Sequence, residues 1–345
     1  MCVTQVELIS PTREGIMRRS EEHPSLFLTA VCVILLTTLW FTATASAVDT
    51  KQDGRIAFVG NQGGSFQLYT MNSDGSGMVQ VTNLPSTFFE TWVPDFSPDG
   101  RRLTFCYGPV DSSGNGFVEI YVINVDGTGL TKLTNDGLFD CFPRWSPDGS
   151  TILFGRSVPR TLQVVVATMR PDGSDKRDLS SPLWGIARSG FTPDGKRILW
   201  ETQQAGFLSV LWIMDADGTH QQRLTPAPLK AGEVSAPSPD GEHVVFINNQ
   251  NTPPALPNAL FVMDIDGGKI KQLTYPVSVS HDVSPNYSPD GTKIVFASDR
   301  MSTDGSLDVF TVNANGSGLT RIATGVTVGG CADKNCVTPA WGRNP

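Results

Sequence analysis

The feature that most restricts what this 345-residue chain can fold into is a four-residue turn that keeps returning. Ser97-Pro98-Asp99-Gly100 recurs as Ser146-Pro147-Asp148-Gly149, Thr192-Pro193-Asp194-Gly195, Ser238-Pro239-Asp240-Gly241 and Ser288-Pro289-Asp290-Gly291. Successive copies start 49, 46, 46 and 50 residues apart, and Asp53-Gly54 stands 46 residues before Asp99-Gly100 as the second half of an earlier copy. Self-similarity at such a period means that one supersecondary unit is repeated, here six times, so the unit must be read before any single element. A second turn follows within each unit: Asn72 to Gly75, Asn124 to Gly127, Arg170 to Gly173, Asp215 to Gly218, Asp264 to Gly267 and Asn313 to Gly316. Both turns have hairpin chemistry, since Pro presets φ, Asp bonds the local backbone and Gly supplies positive φ. Their Asp residues look like metal ligands in print, but an Asp-Gly turn accounts for them without an ion. The Gly also falls at the wrong spacing for a helix-loop calcium site.

Between the turns lie short stretches with a period of two. After the first turn come apolar pairs two residues apart, Ile56/Phe58, Leu103/Phe105, Ile152/Phe154, Ile198/Trp200, Val244/Phe246 and Ile294/Phe296, as one face of a strand requires. Before the second turn come nearly continuous apolar runs such as Val118 to Ile123 and Val164 to Met169, which read as strands covered on both faces. After it a more polar strand carries Lys132, Lys176, Arg177, Arg223, Lys269, Lys271 and Arg321, charges that suit an exposed edge. With the segment before each Ser-Pro-Asp-Gly the unit has four strands, a to d from the inside outward. Four-stranded antiparallel units repeated at this length are the signature of a β-propeller. The first unit lacks strand a. Near the C-terminus Val337-Thr338-Pro339-Ala340-Trp341 matches Trp92-Val93-Pro94-Asp95-Phe96 and Cys141-Phe142-Pro143-Arg144-Trp145, and no strand b follows it. The expected fold is all-β: a six-bladed propeller of four-stranded antiparallel blades, its ring closed by a C-terminal strand that completes the first blade.

The Ser-Pro-Asp-Gly turn, the Asn-x-Asp-Gly-x-Gly turn, the Leu-Thr that follows it and Ser298-Asp299-Arg300 resemble the TolB-type propeller repeat, over about residues 53 to 342. The resemblance implies an exported six-bladed protein that binds lipoprotein and inner-membrane partners in the cell envelope. The chain is expected to lack the α/β domain that precedes the propeller in TolB, because it passes from Ala47 almost directly into Asp53, and to lack the serine-peptidase domain that follows related propellers.

The first fifty residues differ in kind. Leu26 to Phe41 is uncharged and apolar, follows Arg18-Arg19 and precedes Ala45-Ser46-Ala47, the pattern of a secretory signal cleaved after Ala47, with Met17 as an alternative start. Extended through Val48 the run also reaches the length of an uncleaved membrane anchor. Residues 1–47 are therefore read as signal peptide or anchor and 48–345 as the propeller, in a periplasmic or secreted protein. Acidic residues outnumber basic ones 34 to 26, a net charge of -8. That balance excludes a general nucleic-acid binder, which must neutralise phosphates.

Because strands alternate in direction, the a–b and c–d turns share one face of the disc and the b–c and d–a loops the other. The first face is uniform; the second has long, dissimilar loops, where recognition resides on a rigid scaffold. Glu90, Asp140, Arg188, Glu233, His281, Asp282 and Asp333 precede inner strands there and are expected to ring the channel mouth with a mostly acidic surface. Arg144 and Asn286, on inner strands, are placed beside the channel. Cys106 and Cys141 fall on adjacent blades at this face, and Cys331 and Cys336 flank a short loop before the closing strand; in an oxidising compartment each pair is a disulfide candidate. No Gly-x-Ser-x-Gly elbow occurs, and His220, His243 and His281 lie too far apart in the repeat to share a catalytic zinc. The leading expectation is a non-enzymatic, monomeric scaffold that binds a protein or peptide through the second face, without a cofactor except for a channel-bound cation such as calcium. The alternative is a metal-dependent carbohydrate-active enzyme of the polysaccharide lyase kind using the same face.

Overall fold

The computed structural model describes residues 54–61, 65–85, 93–108, 117–161, 163–184, 188–204, 208–225, 231–248, 258–276, 280–303, 305–326 and 339–345. The N-terminal segment with its proposed cleavage after Ala47, the site candidates Glu90 and Asp333, and both Cys331 and Cys336 lie outside these residues.

Each first turn closes on itself. Ser97 Oγ donates to Asp99 Oδ1 at 2.6 Å and accepts from the Arg102 amide at 2.9 Å, while the Gly100 amide reaches the Ser97 carbonyl at 2.8 Å. The hydroxyl of Ser97, Ser146, Thr192 or Ser238 holds the carboxyl of Asp99, Asp148, Asp194 or Asp240 below its ordinary pKa. These aspartates are thus occupied as turn residues, as their spacing implies.

Six four-stranded antiparallel sheets result. Blade 2 runs Asp95–Phe96, Arg102–Tyr107, Glu119–Asn124, Thr131–Lys132, and blade 3 runs Asp140–Trp145, Ile152–Ser157, Gln163–Met169, Arg177–Asp178, with Leu183–Trp184 also paired to its third strand. Blade 4 starts at Ser189–Phe191, blade 5 at Ala231–Pro237 and blade 6 at Asp282–Tyr287. Blade 1 takes its inner strand from the end of the chain: Ala340–Gly342 pairs with Arg55–Gly60, placing Trp341 opposite Ile56. Phe96 opposite Leu103 and Trp145 opposite Ile152 repeat that register in the next two blades. The ring is therefore closed as the sequence match implied.

The c strands of blades 1 and 6, Gln67–Asn72 and Leu307–Asn313, are buried up to their last residue, as expected, and the b strands are covered on both faces as well: after a half-buried first residue, Arg55–Gly60, Arg102–Tyr107, His243–Asn248 and Lys293–Ser298 are buried throughout. Strand b lies between inner and outer strands and is sandwiched by both neighbouring blades, whereas strand c of blades 2 and 5 keeps half-buried interior positions such as Tyr121 and Phe261. Across b and c an aromatic pair recurs in register: Phe58–Tyr69, Phe105–Tyr121, Trp200–Trp212, Phe246–Phe261 and Phe296–Phe310, with ring centroids 5.6 to 5.9 Å apart. Such cross-strand pairs stabilise a sheet by about 0.5–1.5 kcal/mol each beyond the area they bury. The outer strands of blades 1 to 4 are two-residue, exposed edges, as charge suggested for those of blades 2 to 4.

The Leu-Thr after each outer strand has a physical reason. Thr134 Oγ1 accepts the Ile120 amide at 3.0 Å and donates to Glu119 Oε2 at 2.5 Å; Thr82 serves Leu68 and Gln67, and Thr274 serves Leu260 and Asp282, in the same way. The hydroxyl thus continues the ladder where the short outer strand ends. Thr134→Val leaves the buried Glu119 carboxylate and the Ile120 amide short of a partner, and a loss of about 2–3 kcal/mol is expected in urea unfolding. A loss under about 0.5 kcal/mol would mean that this hydroxyl is dispensable.

Candidate functional site

Inner strands of successive blades surround a narrow cavity on the ring axis, lined by Val93, Phe142, Arg144, Arg188, Ser189 and Ser235 from blades 2 to 5. Three inner strands are bulged, those of blades 3, 5 and 6, and the first two carry lining residues. Pairing slips between Cys141 and Arg144, between Gly232 and Ala236 and between Val283 and Asn286, and Phe142 and Ser284, inside the first and third slips, adopt φ of 60° and 56°. Left-handed backbone at a non-glycine residue costs of order 1–3 kcal/mol and persists only where the surroundings impose it.

Arg144 donates to the Pro94 carbonyl at 3.2 Å and stands 3.5 Å from Asp95, whose other oxygen accepts the Trp145 amide at 2.8 Å. Burial raises the Asp95 pKa, and Arg144 and the amide oppose that rise. Arg188 stacks on Phe142 with its guanidinium carbon 4.9 Å from the ring centre and lies 3.9 Å from the buried Glu201. Asn286 is half-buried on the inner strand of blade 6, and Glu233 lies on that of blade 5.

The described acids do not form the solvated ring expected of them. Asp140 is fully buried and gripped by Arg156, Nε to Oδ1 at 3.0 Å and a terminal nitrogen to Oδ2 at 2.9 Å, with Asp136 at 2.5 Å on the same guanidinium. Asp282 is also fully buried, held by Arg300, by Ser298 at 2.7 Å and by Thr274 at 2.5 Å. Arg156 lies on strand b of blade 3 and Arg300 two residues past the end of strand b in blade 6, and each ties the inner strand to that region. His281 remains partly exposed, its ring nitrogen 3.1 Å from Asp299. Cys106 and Cys141 form a disulfide between blades 2 and 3, with Cα atoms 5.1 Å apart.

Among the described residues two carboxylate groupings could invite a metal: Asp240, Glu242 and His243 at a first-face turn, and Glu119, Asp136 and Asp140 in blades 2 and 3. In the first, Ser238 Oγ already donates to Asp240; in the second, Arg156 and Lys132 supply the positive charge. Neither has the preset oxygen cage that calcium takes.

Sequence reasoning missed Asp95, although it sits two residues before the turn serine as Arg144 and Asn286 do, a signal that was available. It also missed the aromatic rim. Phe117, Phe139, Tyr275 and Met301 are exposed at 56%, 37%, 72% and 56%, and all four lie in b–c or d–a loops. Exposed Met78, Leu130 and Leu319 instead follow Gly77, Gly129 and Gly318 at one position of the repeat and belong to the architecture.

A closed ring of six four-stranded sheets defines a six-bladed β-propeller. The chain matches the family described as TolB beta propeller domain over residues 84–256 and 229–342, and it belongs to that family. TolB from Acinetobacter baumannii superposes with a TM-score of 0.65 at 20% identity, over 84% of this chain and 67% of that one. A putative TolB from Agrobacterium tumefaciens gives 0.59 at 20% identity, over 79% of this chain and 88% of that one. Among curated sequences, the uncharacterized protein Atu1656 of Agrobacterium fabrum is 29% identical over 53% of this chain and 62% of its own length. The uncharacterized peptidase YuxL of Bacillus subtilis is 25% identical over 61% of this chain and only 30% of its own. The chain thus spans less than two thirds of these curated relatives.

Proposed function

We propose that this protein is an exported, non-enzymatic propeller that captures a protein or peptide of the cell envelope on the face formed by the b–c and d–a loops. The propeller fold supports a scaffold or binding role. The observation that carries the choice of face is its exposed apolar rim. Phe117 corresponds to Ser65 in blade 1, Phe139 to His281 in blade 6, and Tyr275 to Asn83 and Asn135 in blades 1 and 2. Large apolar side chains placed in solvent where the repeat elsewhere has polar ones do not serve the fold, and exposed aromatics of this kind are the usual anchors of an interface. Phe139 lies 6.4 Å from Phe142, so the rim runs continuously into the channel mouth. The Cys106–Cys141 bridge beside it fixes two blades against each other under that surface.

Charge reversal at Asp140 does not test this reading, because that residue is internal. Phe117→Ser with Phe139→Ser does. Capture of envelope partners by the purified double variant should fall at least about tenfold, the scale of an interface anchor, while Met78→Ser with Leu130→Ser on the other face leaves it unchanged. Equal capture by both variants would remove the face from consideration.

A further inference from the structure

On the first face, the a–b and c–d turns of blades 3 and 4 border a groove of about 790 Å3. Phe191 and Leu179 form its apolar floor, and Asp148, Asp178, Asp194 and Asp217 line it. We infer that this groove docks an extended basic segment of a partner protein, which lays an arginine side chain on Phe191.

The first support is what the repeat puts at this place in other blades. Strand b begins with Arg55, Arg102, Arg197, His243 or Lys293 in five of them, but the corresponding residue of blade 3 is Thr151. In blade 2 the long cation reaches across to the next blade: the Arg102 guanidinium carbon lies 4.8 Å from the ring centre of Trp145, the inner aromatic of blade 3. Phe191 holds the place of Trp145 in blade 4, opposite Ile198 as Trp145 is opposite Ile152, and the threonine is too short to cover it. Phe96, Trp145, Tyr287 and Trp341 are 6 or 7% exposed, whereas Phe191 is only half-buried. Blade 3 thus lacks the cation that its neighbour carries, while blade 4 keeps the surface on which such a cation rests.

The second support lies in the backbone of the same blade. In blades 2, 4, 5 and 6 the second residue of the c–d turn donates its amide to the carbonyl just before strand b: Val125 to Arg101, Ala216 to Lys196, Ile265 to Glu242 and Ala314 to Thr292, at 2.8 to 3.0 Å. Blade 3 has Pro171 there, with no amide hydrogen to give, so that tie to Ser150 cannot form. Ser150 and Thr151 are both in the wall of the groove.

Charge sets the occupant. Four lining carboxylates stand against one lining cation, Arg177, whose guanidinium is engaged by Asp175 at 3.0 and 3.1 Å. The hydroxyls of Ser146, Thr192 and Thr219 hold Asp148, Asp194 and Asp217 below the ordinary carboxylate range, so all three are ionised at neutral pH. Asp99, Asp194 and Asp240 each have the cation of their own strand b beside them, and Lys196 also offsets Asp194. Asp148 has Thr151 in that place. A planar guanidinium stacks on a ring while its edge donates to carboxylates, a combination that a compact ammonium does not match.

The test is a fluorescence-polarisation titration of the purified chain with a labelled heptapeptide that has one central arginine, at fixed ionic strength. Matched peptides carry citrulline or lysine at the centre. Binding about tenfold weaker is expected for citrulline, which keeps the shape and loses the charge, and about fivefold weaker for lysine. Phe191→Leu, which keeps an apolar floor without the ring, should weaken the arginine peptide about fivefold. Thr151→Arg supplies the missing cation from within and should lower affinity about tenfold or more, with a melting temperature no lower than that of wild type. Thr131→Arg adds the same charge to the exposed outer strand of blade 2 and should leave binding unchanged. Arginine and citrulline peptides bound equally, arginine and lysine peptides bound equally, or undiminished binding by Thr151→Arg would each overturn the site, as would a wild type that binds none of the peptides. The rim lies on the opposite face and is scored by Phe117 and Phe139, so its reading stands or falls separately.

Discussion

Truncation after residue 338 is expected to abolish the single cooperative melt of the propeller. The seven residues removed include Ala340–Gly342, the inner strand of blade 1, whose loss strips Arg55–Gly60 of one ladder and leaves an unpaired edge at the axis. Trp341 is 7% exposed and packs in the cluster that joins blade 6 to blade 1, with Ile56, Phe58, Tyr69 and Val312. Trp341→Ala alone should cost about 3–5 kcal/mol, the range for truncating a large buried aromatic. For a domain of this size each kcal/mol lowers the melting temperature by roughly 2–4 °C, so a fall of about 6–20 °C is expected by circular dichroism. Gly54→Ala reports on the same contact without touching the tail: its φ is +75°, and a Cβ there would stand 2.0 Å from the Gly342 carbonyl oxygen. Both point variants melting within about 2 °C of wild type would contradict a closure that rests on this strand.

The second large effect is expected at Arg156. Arg156→Leu leaves Asp140, fully buried, without its counter-charge, and breaking a buried pair on one side costs about 3–5 kcal/mol. Asp140→Leu in the same chain should restore most of the loss, because replacing both partners by apolar groups is often neutral. The pH dependence has a definite sign. The folded pKa of Asp140 lies above the 3.8 of a free carboxyl, burial outweighing the hydrogen bond and charge of Arg156. A folded state that binds the proton more tightly than the unfolded one loses stability as pH rises through its own pKa. Removing Arg156 raises that pKa further, so the deficit of Arg156→Leu is greatest near neutrality and narrows as the pH falls toward about 5. Urea unfolding at the two pH values measures it, and a deficit independent of pH would show that Asp140 is not the group left uncompensated.

Much of the architecture was legible before any coordinates. The turns are satisfied by residues within five positions of one another, as in Ser97 with Asp99 and Arg102, so their chemistry is local and appears in print at every copy. Matching Val337–Trp341 to Trp92–Phe96 identified the closing strand, because the repeat supplies its own template. Placing Cys106 and Cys141 on adjacent blades at one face sufficed to pair them. The charges were harder. Asp140 meets an arginine 16 residues away and Asp282 one 18 residues away, spacings that depend on the a–b pairing and on where each strand ends. Asp140 and Asp282 share one position of the repeat, each with an arginine at or just past the end of strand b, and that was the available sign that these acids are internal ties. Asp95 and Arg144 were separated by a full unit and meet only because neighbouring inner strands converge on the axis.

Taken alone, the order of residues determined how many blades there are, where each hairpin turns and which segment shuts the ring, because those features follow from turn chemistry and alternation repeated at a fixed interval. Tertiary structure alone decided which charges are hidden, which aromatics meet solvent and what lines the axis. Desolvation is a property of the surroundings, and here they are assembled from blades whose residues lie about fifty positions apart along the chain.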